Sequence, residues 1–195
     1  DCLAQAFVIG EEFIGSDSVC LVLGDNIFYG YGFSAMLQTA VARTSGATVF
    51  GYHVHDPERF GVVEFNAEGK ALSVEEKPAE PKSNYAITGI YFYDKQAPKL
   101  AKSLQKSKRG ELEITDVNIT YMKQENLYAE VLDQGYTWMD AGTVESFLEA
   151  SLFVKSVEQQ KGIKISCPEE IAYTNKWIDE DKVQIIVEDL SSSPY

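Results

Sequence analysis

Ser18-Val19-Cys20-Leu21-Val22-Leu23, followed at once by Gly24-Asp25-Asn26, is the stretch on which the architecture turns. An unbroken apolar run of this length predicts a strand buried on both faces, as in a parallel sheet covered by helices. The glycine and two polar residues that end it are turn chemistry. Upstream, residues 3–13 carry apolar side chains at helical spacing, with Glu11 and Glu12 on the wet face. Downstream, a helix is predicted over 33–43, closed by Gly46.

The alternation continues outward. Strands are predicted over 47–54, 62–65, 71–75 and 87–93, the middle two joined by the turn Asn66-Ala67-Glu68-Gly69. Helices follow over 97–104 and 114–124, then strands over 127–132 and 136–139. Thr143 reads as the N-cap of a long helix ending near residue 160, with Phe147, Leu148, Ser151, Leu152 and Val154 as its buried stripe. Two short helical segments near 169–175 and 179–190 form the tail. Strands alternating with helices predict an α/β fold with a mixed, mostly parallel central sheet and a helical C-terminal region. The expected division is a core over 1–160 and a partial helical segment over 161–195. In such sheets ligands gather at the carboxyl ends of strands.

The 195 residues suffice for one sizeable domain, and the net charge of −13 disfavours nucleic acid as a partner. With only 17 Lys and Arg residues, each cation near a strand end is informative. No stretch is long and apolar enough to cross a bilayer, and no basic segment precedes an apolar one, so neither membrane insertion nor a secretory signal is expected. Cys2, Cys20 and Cys167 are odd in number and widely spaced, which predicts free, reduced thiols in a cytoplasmic protein. Asp1-Cys2-Leu3-Ala4-Gln5-Ala6-Phe7 runs straight into a helix, as the interior of a longer gene product would.

Several motifs carry chemistry. Asp25 follows the apolar strand, and Asp140 ends Tyr136-Thr137-Trp138-Met139. Read singly, each is turn or cap chemistry; together, two strand-end carboxylates suit Mg²⁺, which takes one or two carboxylates plus phosphate oxygens and water. Glu75-Glu76-Lys77-Pro78 offers a carboxylate for sugar hydroxyls and an ammonium for a phosphate. Pro78 holds Lys77 extended, so alternation sends Glu76 and Lys77 to opposite sides unless a bulge re-aims one. The alternative is a charged strand end dissolving into a loop. Arg109, beside Gly110, presents a planar fork for phosphate or else belongs to a solvated loop. Gly61, within Phe60-Gly61-Val62-Val63, permits close approach of a ligand to the backbone, or marks a bulge. His53 and His55 share one face of a strand without a third ligand at useful spacing, and read as surface residues.

Taken in order, LAQAF at 3–7, LVLGDNIFYG at 21–30, ATVFGYHVHDPERFGVVEF at 47–65, VEEKP at 74–78, ITGIYFYD at 87–94, RGELEITD at 109–116 and WMDAGT at 138–143 resemble the glucose-1-phosphate thymidylyltransferases. The resemblance runs through essentially the whole chain. It implies a Rossmann-like nucleotidyltransferase fold, with dTTP and glucose 1-phosphate as substrates and dTDP-glucose, a precursor of dTDP-rhamnose-type deoxysugars, as product. It also implies a homo-tetramer. Asp25 and Asp140 match the magnesium ligands. Glu76 matches the residue that holds the glucose hydroxyls, and Gly61 offers its backbone to the sugar. Lys77 and Arg109 match the groups that grip the sugar phosphate. Ile87 and Tyr91 match residues lining the sugar site, Leu3 belongs to the substrate-binding set, and Trp138 lies beside the metal.

Two departures accompany the match. The family's glycine-rich loop, with its arginine and lysine, has no counterpart in this sequence, so the chain by itself is expected to be inactive or weakly active. Cys2 stands where the family has glycine, close to the nucleotide base. Three other functions stay open at this point: a pyrophosphorylase with another nucleotide or sugar phosphate, a metal-dependent glycosyltransferase, and a non-catalytic sugar-nucleotide-binding domain.

Overall fold

The computed structural model describes residues 3–107 and 110–192. It divides into two compact units, Asp1–Phe147 and Leu148–Tyr195. The first unit is built on a sheet of six strands: β1 (Val19–Val22), β3 (Ala47–His53), β4 (Gly61–Phe65), β5 (Ala71–Glu76), β6 (Tyr85–Tyr93) and β7 (Leu127–Leu132). A separate two-stranded ribbon pairs β2 (Asn26–Gly30) with β8 (Tyr136–Asp140). Helices α1 (Gln5–Ile9), α2 (Glu11–Ile14), α3 (Phe33–Val41), α4 (Ala97–Ser103) and α5 (Ile114–Lys123) complete the unit. The helix expected over 3–13 is thus two short ones, broken at Gly10.

β6 organises the sheet. Its residues are β-branched, aromatic or small, and the whole strand is buried or nearly so. One edge pairs along its length with β3. The other edge is shared: β1 takes residues 90–93 and β4 meets it at Ala86. Between these two partners, Ile87 and Gly89 line a cleft. β6 also divides the core. Ile87, Tyr91 and Tyr93 pack with Phe7, Val63 and Tyr121, whereas Ile90 packs with Ala40, Phe50 and Leu132 on the opposite face. Each such fully buried aliphatic or aromatic side chain contributes ~1.5–3 kcal/mol.

A buried carboxylate ties the sheet to its helices. Asp94 accepts from Gly46 N–H at 2.7 Å and from the Tyr121 hydroxyl at 2.7 Å. Burial alone would raise its pKa, but these bonds and those from Gln96 outweigh it and hold the carboxyl below its ordinary range. Gly46 meets this demand at φ 86°, and a Cβ there would lie 2.4 Å from the Asn126 carbonyl.

The expected α/β class and mixed sheet are present. The balance of pairing differs from expectation, since among the described residues only β3 and β7 run parallel. β1 is also not buried on both faces: its burial alternates, with Cys20 and Val22 exposed. It lies antiparallel at the edge of β6, where the face of Val19 and Leu21 is better covered than that of Cys20 and Val22. β2 was absent from the predicted elements.

Helix α6 (Val144–Lys161) spans the boundary between the units. Thr143 caps it as expected, its hydroxyl accepting from Ser146 N–H at 3.1 Å. Its expected stripe is not buried: Phe147, Leu148 and Leu152 are each more than half exposed, and Ala150 alone is buried among the described residues of the helix. The second unit continues with α7 (Pro168–Thr174) and α8 (Glu180–Asp189), the latter capped by Asp179 accepting from Lys182 N–H. Neither α7 nor α8 buries a residue fully. Cys20 and Cys167 are free thiols, and His53 and His55 are exposed, their rings 6.2 Å apart on one face.

Candidate active-site cleft

The gap beside residues 87–89 opens into a cleft of about 640 Å³ in the first unit. Asp25, Glu76, Lys77 and Asp140 line it. So do Leu3, Gly61, Ile87, Tyr91 and Trp138. Nine residues predicted from six separated stretches therefore converge on one place. Cys2 and Arg109 lie outside the described residues.

The acidic pair sits at the end of the ribbon. Asn26 pairs with Asp140 in register, and Ala141 N–H donates to the Asp25 carbonyl at 2.8 Å, which carries the ladder on to Asp25. Gly142 lies against both carboxylates: a Cβ there would stand 3.3 Å from Asp140 Oδ1 and 3.7 Å from Asp25 Oδ2. The Asp140 carboxyl has a raised pKa. Burial is the main cause and the Asp25 charge the next, opposed by the Gly142 N–H and by the charges of Arg59 and Lys77.

Lys77 reaches the cleft by a route that differs from the predicted one. It is not extended, as Pro78 suggested, but left-handed, with φ 44°. After β4 and β5 pair Gly61 with Glu76, the Lys77 N–H closes on the Phe60 carbonyl at 3.0 Å, and the chain turns there. That turn brings Lys77 to the same cleft as Glu76 instead of the opposite side of the strand. A left-handed lysine is strained by ~1–3 kcal/mol, and such residues cluster at functional sites. Glu76 accepts from the Thr115 hydroxyl at 2.5 Å. A Cβ on Gly61 would be 3.5 Å from Glu76 and 3.4 Å from Thr115, so glycine keeps that backbone open to a ligand.

Three residues of the site escaped the sequence. Asn26 is the pivot: its Oδ1 accepts from Gly89 N–H at 2.9 Å and Trp138 Nε1–H at 2.7 Å, while its Nδ2 donates to Asp25 at 2.9 Å. It read only as turn chemistry because its partners are distant in the chain. Thr115 orients Glu76 from α5. Arg59 lines the cleft as a further cation, in an ion pair with Asp56 at 2.7 Å and over the Phe60 ring. A lone arginine after Asp-Pro-Glu gave no signal of its own.

Residues 2–157 match the model of the nucleotidyl transferase family. The chain belongs to that family. It is 52% identical to the glucose-1-phosphate thymidylyltransferase of Neisseria meningitidis serogroup A over 195 residues, all of this chain and 68% of that protein. The counterpart in Mycobacterium tuberculosis H37Rv is 53% identical over 183 residues, 94% of this chain and 63% of that one. Among solved structures, a Bacillus anthracis protein crystallised with sucrose, provisionally named glucose-1-phosphate thymidylyltransferase, superimposes with a TM-score of 0.67 at 42% identity. That superposition covers 77% of this chain and 60% of the other. A UDP-glucose pyrophosphorylase bound to UDP-glucose shares the fold, with a TM-score of 0.70 at 23% identity over 79% of this chain and 62% of its own.

In this nucleotidyl transferase the acidic pair fits a hard divalent cation. Among the described residues no three His, Cys, Asp or Glu side chains gather as a self-sufficient metal site. Magnesium needs no such cage, because it retains water and takes phosphate oxygens from its substrate. Two carboxylates that repel one another beside Gly142 are a donor set of that kind.

Proposed function

We propose that this chain carries the sugar-phosphate and cation sites of a glucose-1-phosphate thymidylyltransferase, which converts dTTP and glucose 1-phosphate to dTDP-glucose and pyrophosphate. The observation behind the proposal is the convergence of Asp25, Asp140, Glu76 and Lys77 on one cleft. A phosphate oxygen of the sugar forms a bond to the α-phosphorus of dTTP as the bond from that phosphorus to the bridging oxygen of the β-phosphate breaks. The nucleophile is already anionic, so no proton has to be removed.

The residues therefore work by positioning and charge. Glu76, fixed by Thr115, accepts from sugar hydroxyls, and Gly61 leaves its backbone accessible beside them. Lys77, joined by Arg109, holds the phosphate. Asp25 and Asp140 would hold Mg²⁺, which when bound offsets the negative charge that keeps two phosphate groups apart. As part of the same proposal the protein acts in the cytoplasm as a homo-tetramer, and its product enters dTDP-rhamnose-type deoxysugar synthesis. Exposed Leu148 and Leu152 on α6 support assembly.

Calorimetric titration of glucose 1-phosphate with Mg²⁺ tests the site. A charge-assisted contact is worth ~1.5–3 kcal/mol, so Lys77→Ala should weaken binding by about ten- to a hundredfold. Equal affinity in the variant would remove Lys77 from the site. Absence of binding by the unmodified chain would count against a sugar-phosphate site within these residues.

A further inference from the structure

Two buried side-chain atoms have no hydrogen-bond partner among the described residues, Thr88 Oγ1 and Asn118 Nδ2. Thr88 lies on β6 between Ile87 and Gly89, which line the cleft, and so alternation turns it away from the cleft. Asn118 lies on α5, has no exposed surface, and belongs to the lining of the cleft. Its Oδ1 accepts from the Tyr93 hydroxyl at 2.6 Å, which fixes the amide and leaves the NH₂ group over. Tyr93 is itself stacked at 6.2 Å on Tyr91, a further residue of the lining. Thr115, which orients Glu76, sits three residues earlier on α5 and therefore on the same helix face.

We infer that the side-chain amide of Asn118 is a hydrogen-bonding contact for a hydroxyl of the bound sugar, and so a specificity determinant that acts alongside Glu76. An amide buried without a partner is unfavourable in the free protein, and a ligand that supplies the partner gains affinity for that reason. A sugar hydroxyl suits the position whichever way the amide is turned, because it both donates and accepts. A phosphate oxygen can only accept, and it has Lys77 to bind. The inference rests on the sugar-phosphate function proposed above.

The test is calorimetric titration of wild type and Asn118→Leu with glucose 1-phosphate and with its monodeoxy analogues. Leucine keeps the volume and removes both amide atoms. The expected result is an affinity for glucose 1-phosphate about tenfold lower in the variant. One monodeoxy analogue should bind wild type about tenfold less tightly and the two proteins equally. Unchanged affinity in the variant, or a loss that no analogue abolishes, would overturn the contact; a change in melting temperature alone would assign the amide to the core or to a buried water. If the leucine variant does not fold, Tyr93→Phe frees the amide to turn, and a loss of about threefold is expected; no loss overturns the inference. Wild-type binding without a variant effect counts against Asn118 only, whereas absence of wild-type binding defeats the sugar-phosphate function and this inference together.

Discussion

The surroundings of Asp140 disfavour its charged form. Its folded carboxyl holds a proton more tightly than the unfolded one, through burial and the nearby Asp25. The sign follows from linkage: the group favours the fold at pH values below the ordinary carboxylate range, and that contribution is lost as pH rises through the raised value. At neutral pH the charged pair therefore opposes folding until a cation joins it. Asp140→Asn should melt at a higher temperature than wild type near pH 7 without divalent metal, and the gap should close as pH falls toward ~4. Added Mg²⁺ should raise the melting temperature of wild type and leave the variant unmoved. A variant that melts lower at pH 7 would contradict this. Asp25, Asp140, Glu76 and Lys77 were all legible as strand-end chemistry. The aim of Lys77 was not, because Pro78 argues for extended backbone and only the closure of Lys77 N–H onto Phe60 makes the left-handed turn.

At the level of elements, the cleft exists because β1 and β4 share one edge of β6 and leave residues 87–89 between them. Gly89 lies in that gap, and a Cβ there would meet the Asn26 amide at 2.5 Å. Gly89→Ala should displace Asn26, release Trp138 and Asp25 from it, and cost ~1–3 kcal/mol of stability. The loss should be markedly less than additive with Asn26→Ala, since both changes break the same contacts. Chemical denaturation of the two single variants and the double variant measures this directly; simple additivity would mean the two residues act separately. Most strands and helices could be read from periodicity. β2 could not, for it begins inside Gly-Asp-Asn, and its partner β8 is supplied from the other end of the unit. The mostly antiparallel pairing was equally hidden, because strand order depends on which distant segments meet and not on the pattern within any one of them.

For the molecule as a whole, the sequence suggested a buried stripe on α6 where the structure exposes Leu148 and Leu152. Periodicity reports an apolar face and is silent on what covers it. If assembly covers it, light scattering on the 21.7 kDa chain should give a mass above that of a monomer, and Leu148→Ser with Leu152→Ser should reduce it. A monomeric wild type would refute the assignment of that face to assembly. The ribbon of β2 and β8 has a different kind of consequence. A hairpin takes its register from its turn, but these strands have none: Asn26 and Trp138 are 112 residues apart. Their alignment is set by Asn26 bridging to Gly89 in the main sheet and to Trp138 across the ribbon. The two carboxylates thus come into line only when β6 is already in place, so no excised peptide will reproduce the pair. The appearance of cation affinity during refolding would then time the completion of the sheet.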